Sequence, residues 1–352
     1  MKVFVDLTRF APTANRAALR GMVSQLDDAG ATGVSLSDHL FYTREGTSRR
    51  DGVDPGCDPV TTLAAVAGMS GRLELQTVVM NSAWLHPALL LRHFTQLAVL
   101  AGGERVTAGL GAGWSTEEFD AVGMTLPRFG PRMDRLEEVL RFARTLYDGG
   151  VVSAEGPHVV ARDLPLSPTP ATPPRLLVGG GSDRVLRMAG RYADVLDLHG
   201  DPRHGRVAGA TMAQARVGDV QRRALTTVDG LTARIGLVRA AAEEAGRPRD
   251  AVSVSTEIKY VAFAGSAGEV RAAGEELCAV WAQMPYQPLH RSPYLLVGTP
   301  EQMADALLER REAYGLERIS VSGEGGIRSA LPDPLRFCRE VLPLLDRRGL
   351  LR

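Results

Sequence analysis

The sequence predicts an α/β protein built as a (β/α)8 barrel, with insertion segments in its βα loops and one domain over residues 1–352. Three observations predict it. Strand-like and helix-like stretches alternate along the chain, which implies a parallel sheet. The strand-like runs number eight, an even set that favours a closed barrel over an open doubly wound sheet, which is the alternative. No stretch has the composition of a linker, and 352 residues lie within the range of one α/β barrel.

In chain order, Lys2–Leu7 alternates as a strand, and Ala14–Ala29 carries Ala18, Met22 and Leu26 on one helical stripe stopped by Gly30. Gly33–Ser37 is the second strand. Pro59–Met69 reads as a helix with Asp58 as N-cap and Pro59 in its first position. Leu73–Met80 is a strand and Pro87–Leu100 a helix ended by Gly102-Gly103. Arg105–Gly111 and Arg132–Tyr147 follow as strand and helix. The second half repeats the alternation: Leu176–Val178, Asp183–Tyr192, Asp194–Leu198, Leu231–Ala245, a long strand Val252–Ala264, helices Ala267–Met284 and Glu301–Tyr314, strand Arg318–Ser322 and helix Pro334–Leu345. Gly149–Pro174 is too rich in proline for a core element and reads as an excursion carrying a short hairpin. Phe41–Cys57 and Arg203–Asp229 are further insertions, and such loops set the substrate.

Composition excludes several classes. Lys+Arg and Asp+Glu both number 41, so no net field draws the chain to nucleic acid or to a membrane surface. No apolar stretch is long enough to span a bilayer. Cys57, Cys278 and Cys338 are sparse, odd in number and without metal-site spacing, which fits a reducing compartment and predicts no metal. The N-terminal "MKVFVDLTRF" is a strand rather than a signal peptide. The expectation is a cytoplasmic protein acting on a small molecule.

Active sites of this fold lie where the strands end, in the βα loops. The run "VSLSDHLF" ends in Asp38 and His39, a carboxylate and an imidazole able to bind a polar ligand edge and exchange a proton. The competing reading has Asp38 capping a turn and His39 packed as a satisfied polar residue. "LLVGGGSDR" runs from a strand through Gly179, Gly180, Gly181 and Ser182 into a helix, a phosphate-like cradle whose helix N-terminus favours an anion. Arg184 in its first turn opposes the dipole and would sit better beside an anion. A turn with no ligand is the alternative. "GLGAGW" places Gly111 and Gly113 for close approach of a flat ligand, with Trp114 as a wall. In "TVVMNSAWLHP", Asn81 could bond a heterocycle edge and Trp84 line a pocket. Trp281 and Tyr286 are further pocket candidates, Trp281 equally a helix-core residue. Glu257 with Glu117 or Glu118 could form a glycosidase pair, although a strand glutamate is more often structural.

Taken together, "VSLSDHL", "ERVTAGLGAGWSTEEFDAVG", "RLLVGGGSDRVLRMAGRYADV" and "YLLVGTPEQMADALLERREAYGLERISV" resemble the bacterial luciferase-like superfamily of flavin and deazaflavin oxidoreductases. The resemblance covers nearly the whole chain. It implies coenzyme F420 or FMN, with the cofactor phosphate at the turn Gly179–Ser182. It implies a non-prolyl cis peptide near Val78-Val79 in a bulge of the third strand, backing the ring. "SDH" looks like the F420-using branch, where the Asp contacts the deazaflavin head and the His lies near the reactive carbon. F420 carries an acidic tail, so a basic groove at the barrel mouth would favour it. Two departures stand out. The sugar-phosphate dehydrogenases of this branch carry a glutamate where Trp114 stands, and place an aromatic residue shortly after the His that is not evident here. The implied activity is hydride transfer between F420 and a small organic substrate, such as reduction of a C=C or C=N bond. The alternative is an FMN-dependent monooxygenase using reduced flavin and O2. Relatives often form homodimers, and a flavin or F420 reductase is the implied source of reduced cofactor. A flavin-binding barrel without catalysis is the reading from outside enzymology.

Overall fold

The computed structural model describes residues 1–43, 49–102, 104–201, 222, 225–281, 285–322 and 334–351. Eight parallel strands form a closed barrel: β1 (Lys2–Asp6), β2 (Gly33–Leu36), β3 (Glu74–Thr77), β4 (Val106–Gly111), β5 (Arg175–Gly180), β6 (Val195–Leu198), β7 (Ser253–Ile258) and β8 (Leu316–Ser322). Each pairs in parallel with the next, β4 pairs β5, and β8 returns to β1 with Val3 opposite Ile319. The expected barrel is therefore present. Its strands are buried on both faces, as strands walled by helices must be.

The ring helices are α1 (Arg16–Asp28), α2 (Pro59–Ala67), α3 (Pro87–Ala101), α4 (Phe129–Tyr147), α5 (Asp183–Tyr192), α6 (Val228–Glu244), α7 (Pro300–Tyr314) and α8 (Pro334–Glu340). Their starts are written locally. Asn15 accepts from Ala18 N–H, Asp58 from Thr61 N–H ahead of Pro59, and Thr299 forms a reciprocal capping box with Gln302. The barrel floor is polar and only partly paired: Arg318 Nε, Gln76 Nε2 and Glu74 Oε2 are buried without a hydrogen-bond partner. Arg318, 3% exposed, donates to Gln76 Oε1 at 2.7 Å and lies over the Phe4 ring. Burial drops its guanidinium to about 10. Arg318 fills the N-terminal end of the barrel interior and also lines a second cavity there, with Lys2, Arg175, Ser253 and Glu317; the sequence candidates gather at the opposite end.

Several elements differ from the sequence reading, among them Pro334–Leu345, which is two helices, Pro334–Glu340 and Leu342–Arg347. The run Val252–Ala264 is two strands: β7 ends at Ile258, and Tyr260–Phe263 pairs instead with Leu295–Gly298. The chain leaves the barrel wall at Lys259, and Tyr260 joins a small separate core with Cys278, Tyr286, Leu289, Tyr294 and Leu295. The run Leu73–Met80 is interrupted at Val78-Val79, and Met80–Asn81 resumes pairing with Leu110–Gly111 one residue out of step. That extra residue makes a bulge. A short helix, Thr116–Ala121, sits in the loop after β4. The excursion at 149–174 does carry a hairpin, Val151–Glu155 with Val160–Pro165. Most of the insertion Arg203–Asp229 lies outside the described residues.

Candidate active site

A cavity opens at the C-terminal ends of the strands. It leaves about 230 Å³ to the centres of water molecules, where one water needs about 10–15 Å³, so it takes a ligand much larger than a solvent cluster. Among the sequence candidates, Asp38, His39, Val78, Val79, Asn81, Gly111, Gly113, Trp114, Gly179, Gly180 and Gly181 line it. Ser182, Trp84 and Tyr286 do not. Trp84 packs on Phe119, with ring centroids 6.0 Å apart, and Tyr286 is buried in the small separate core. The Trp281 side chain lies outside the described residues.

The chain after β2 is tied down by side chains from neighbouring strands. Ser37 N–H donates to Thr8 Oγ1 and Ser37 Oγ–H to Val78 O, both at 2.9 Å. Asp38 then accepts from Asn81 N–H at 2.9 Å. Burial lifts the Asp38 carboxyl to about 6, with the Asn81 bond and the His39 ring opposing the rise. His39 Nδ1 lies 3.1 and 3.2 Å from the two carboxylate oxygens of Glu118. Its ring also meets Tyr42 at 4.9 Å and the edge of Trp114 at 5.8 Å between centroids. Tyr42 is thus an aromatic neighbour of His39 that the sequence reading did not single out. Its spacing, three residues on, was the available signal.

The glycines have a second purpose. The Val78–Val79 peptide is cis, as the resemblance implies. A Cβ on Gly111 would overlap Val79 Cγ2, and one on Gly179 would come within 3.0 Å of Val79 Cγ1. Gly113 has φ +71°, and its Cβ would meet Asn81 Oδ1 at 2.5 Å. The glycines of two βα turns therefore make room for the β3 bulge as well as for any ligand. Asn81 is likewise engaged within the protein, its Oδ1 accepting from Ala83 N–H at 3.0 Å.

At the glycine turn after β5, Ser182 caps α5 by accepting from Val185 N–H at 3.3 Å. Arg184 turns away from the turn. It forms ion pairs with Asp134 at 2.6 Å and Glu137 at 3.1 Å on α4, which corrects its reading as a cation awaiting an anion. Arg234 of α6 donates to Gly181 O instead, and pairs with Asp183 at 3.3 Å. The remaining charges in the wall are mixed: Arg132, Arg222 and Lys259 face Asp6, Asp38, Glu118, Asp197 and Glu257. Arg132 donates to Gly113 O, Arg222 pairs with Asp201, and Lys259 with Glu257 at 3.4 Å. Glu257 and Glu118 share the cavity; Glu117 is not in its wall, and its carboxylate accepts from Thr43 Oγ1–H at 2.7 Å.

Comparison with known proteins agrees with this architecture. The family model described as luciferase-like monooxygenase matches residues 3–317. The F420-dependent hydroxymycolic acid dehydrogenase of Mycobacterium tuberculosis is 33% identical over 171 residues, 48% of this chain and 45% of that protein. The F420-dependent glucose-6-phosphate dehydrogenase of Kribbella flavida is 29% identical over 171 residues, 48% of each. The matched region thus spans about half the length of these relatives. The EDTA monooxygenase of Chelativorans sp. BNC1 has the same fold, with TM-score 0.73 and 18% identity over 100% of this chain and 95% of that one. A barrel closed by eight parallel strands and a family match over nearly its whole length place this chain in the luciferase-like family of oxidoreductases.

Proposed function

We propose that the protein is an F420-dependent oxidoreductase that moves a hydride between the deazaflavin and a small organic substrate. The observation that carries the reading is the joint presence in one cavity wall of Asp38, half-buried with its carboxyl pushed up to about 6, and His39, held at one ring nitrogen by a carboxylate. The sequence relatives named above, both F420-dependent, support the cofactor.

The residues suit a flat, partly polar ring. Val79, Met133, Leu136 and Val185 give the cavity an apolar surface, while Asp38 offers a carboxylate. In this reading Asp38 holds the ring's polar edge, the Val78–Val79 bulge backs it, and the turn Gly179–Ser182 holds the phosphate through backbone N–H groups at the start of α5. When bound, reduced F420 supplies a hydride at its ring carbon. Reduction of a C=C or C=N bond also needs a proton, and His39 holds and delivers it. Tyr42 and Trp114 beside His39 keep water from that proton path. The described wall is not a basic groove, so charge alone does not select the acidic tail of F420. The assembly we assign is a homodimer, with a separate reductase renewing the cofactor.

The competing reading is FMN-dependent monooxygenase chemistry. Trp114, standing where the sugar-phosphate dehydrogenases bear a glutamate, argues against sugar-phosphate oxidation, and the monooxygenase among the structural neighbours supports the competing reading. Turnover assays separate the two. Candidate alcohols with oxidised F420, and activated alkenes and imines with reduced F420, are followed by the cofactor's absorbance. We expect turnover of one class, lowered in His39→Ala by roughly 10²–10⁴-fold, the usual worth of acid–base catalysis, with cofactor affinity kept within threefold. Oxygen consumption with reduced FMN and no F420 turnover would replace this reading by the other.

A further inference from the structure

We propose that Glu118 is the positioning residue of His39, fixing the ring proton on Nδ1 so that Nε2 is the nitrogen that exchanges a proton with substrate. The proposal deepens the assignment of His39 above and rests on it for the catalytic role, though not for the tautomer.

Glu118 is 2% exposed, on the helix Thr116–Ala121 whose N-cap Ser115 bonds Glu118 N–H. Its carboxylate faces two donors at once. Leu40 N–H donates to Oε1 at 2.6 Å, and His39 Nδ1 lies 3.1 Å from Oε2. A carboxylate accepts, so the ring proton belongs on Nδ1, leaving Nε2 as the nitrogen that Glu118 does not hold. The neighbouring Glu117 accepts from Thr43 Oγ1–H at 2.7 Å, and Arg49 donates to Glu117 O at 3.2 Å. Two consecutive glutamates on one short helix thus clamp the base of the loop that carries His39. The arrangement repeats the logic by which a buried carboxylate orients a catalytic imidazole and sets its tautomer.

Glutamine makes a discriminating substitution. In Glu118→Gln the side chain has a single acceptor oxygen. Leu40 N–H can only donate, so it takes that oxygen and turns the NH2 group towards His39. The retained oxygen still lies 3.2 Å from Nδ1, but the nearer group, at the Oε2 position 3.1 Å away, is now a donor, so the tautomer balance shifts towards the ring proton on Nε2. A glutamate that merely fills space and holds the loop would tolerate glutamine, since size and the Leu40 bond are kept.

The test is long-range ¹H–¹⁵N correlation on protein labelled at histidine, at a pH that leaves the rings neutral, with His39 assigned from His39→Ala. The wild type should show His39 protonated on Nδ1, and Glu118→Gln a shift towards Nε2. Wild-type His39 protonated on Nε2 would overturn the proposal without any variant having to fold. An unchanged tautomer in folded Glu118→Gln would overturn it too. Neither readout uses F420, so failure here is separate from failure of the cofactor reading. Once a substrate is in hand, Glu118→Gln should lower kcat on the order of 10²-fold or more with KM little changed, and equal activity would again contradict it.

Discussion

Burial holds the Asp38 carboxyl at about 6 although Asn81 N–H donates to it. An acid whose pKa rises on folding leaves the folded state more protonated than the unfolded one, so its stabilising share is full below the ordinary value of 3.8 and is lost as pH rises through about 6. The loss is worth ~3 kcal/mol at most. Asp38→Asn keeps an oxygen for the Asn81 bond and carries no charge. It should melt a few degrees, roughly, above the wild type at pH 8, with the gap closing as pH falls towards 4. Thermal unfolding across that range checks this, and a gap constant with pH would contradict it. At this scale the sequence was legible where chemistry is local: Asp38 and His39 stand out because they end an apolar strand. It was not legible where the partner is remote. Arg184 answers to Asp134 and Glu137, and His39 to Glu118, across 47–79 residues of chain.

The elements that shape the site are the β3 bulge and the glycine turns facing it. Gly181 shows how strictly backbone can demand a glycine: a Cβ there would overlap the carbonyl oxygens of both His199 and Asp201. Backbone cannot yield as a flexible side chain does. Gly181→Ala should therefore destabilise by ~2 kcal/mol or more and weaken binding of an anion at the turn. Gly21 in α1 is the contrast, with open space around its absent Cβ. Gly21→Ala should stabilise by ~0.5–1 kcal/mol through helix propensity and a less free unfolded chain. Denaturant midpoints for the pair test both signs. Element reading from sequence worked where period and caps were long enough to see, as in α5, found at Asp183–Tyr192. It failed at Val252–Ala264, because one unbroken strand-like run, with no Gly or Pro at Lys259 to mark the break, serves two different sheets. It also failed at Thr116–Ala121, which is too short to show a helical period, and that helix carries Glu118.

On the scale of the whole molecule, eight parallel strands close the barrel, Arg318 sits inside at one end, and the βα loops build the candidate cavity at the other. Eight alternating strand–helix units were enough to foresee that closure. The substrate was not foreseeable, since the loops that would choose it follow no period. A ligand bound only by the folded barrel stabilises it by mass action, by ~2.7 kcal/mol at a hundred times its Kd. F420 should thus raise the melting temperature, and FMN should do so less. Among the described residues no helix is long and apolar enough to cross a membrane. The measurement that tests the account most directly is a titration of the purified protein with F420 and, separately, with FMN, followed by fluorescence or calorimetry. The account predicts tight F420 binding and weaker FMN binding. Tight FMN binding without F420 binding would contradict it and point to oxygen chemistry, and binding of neither would overturn the phosphate cradle at Gly179–Ser182.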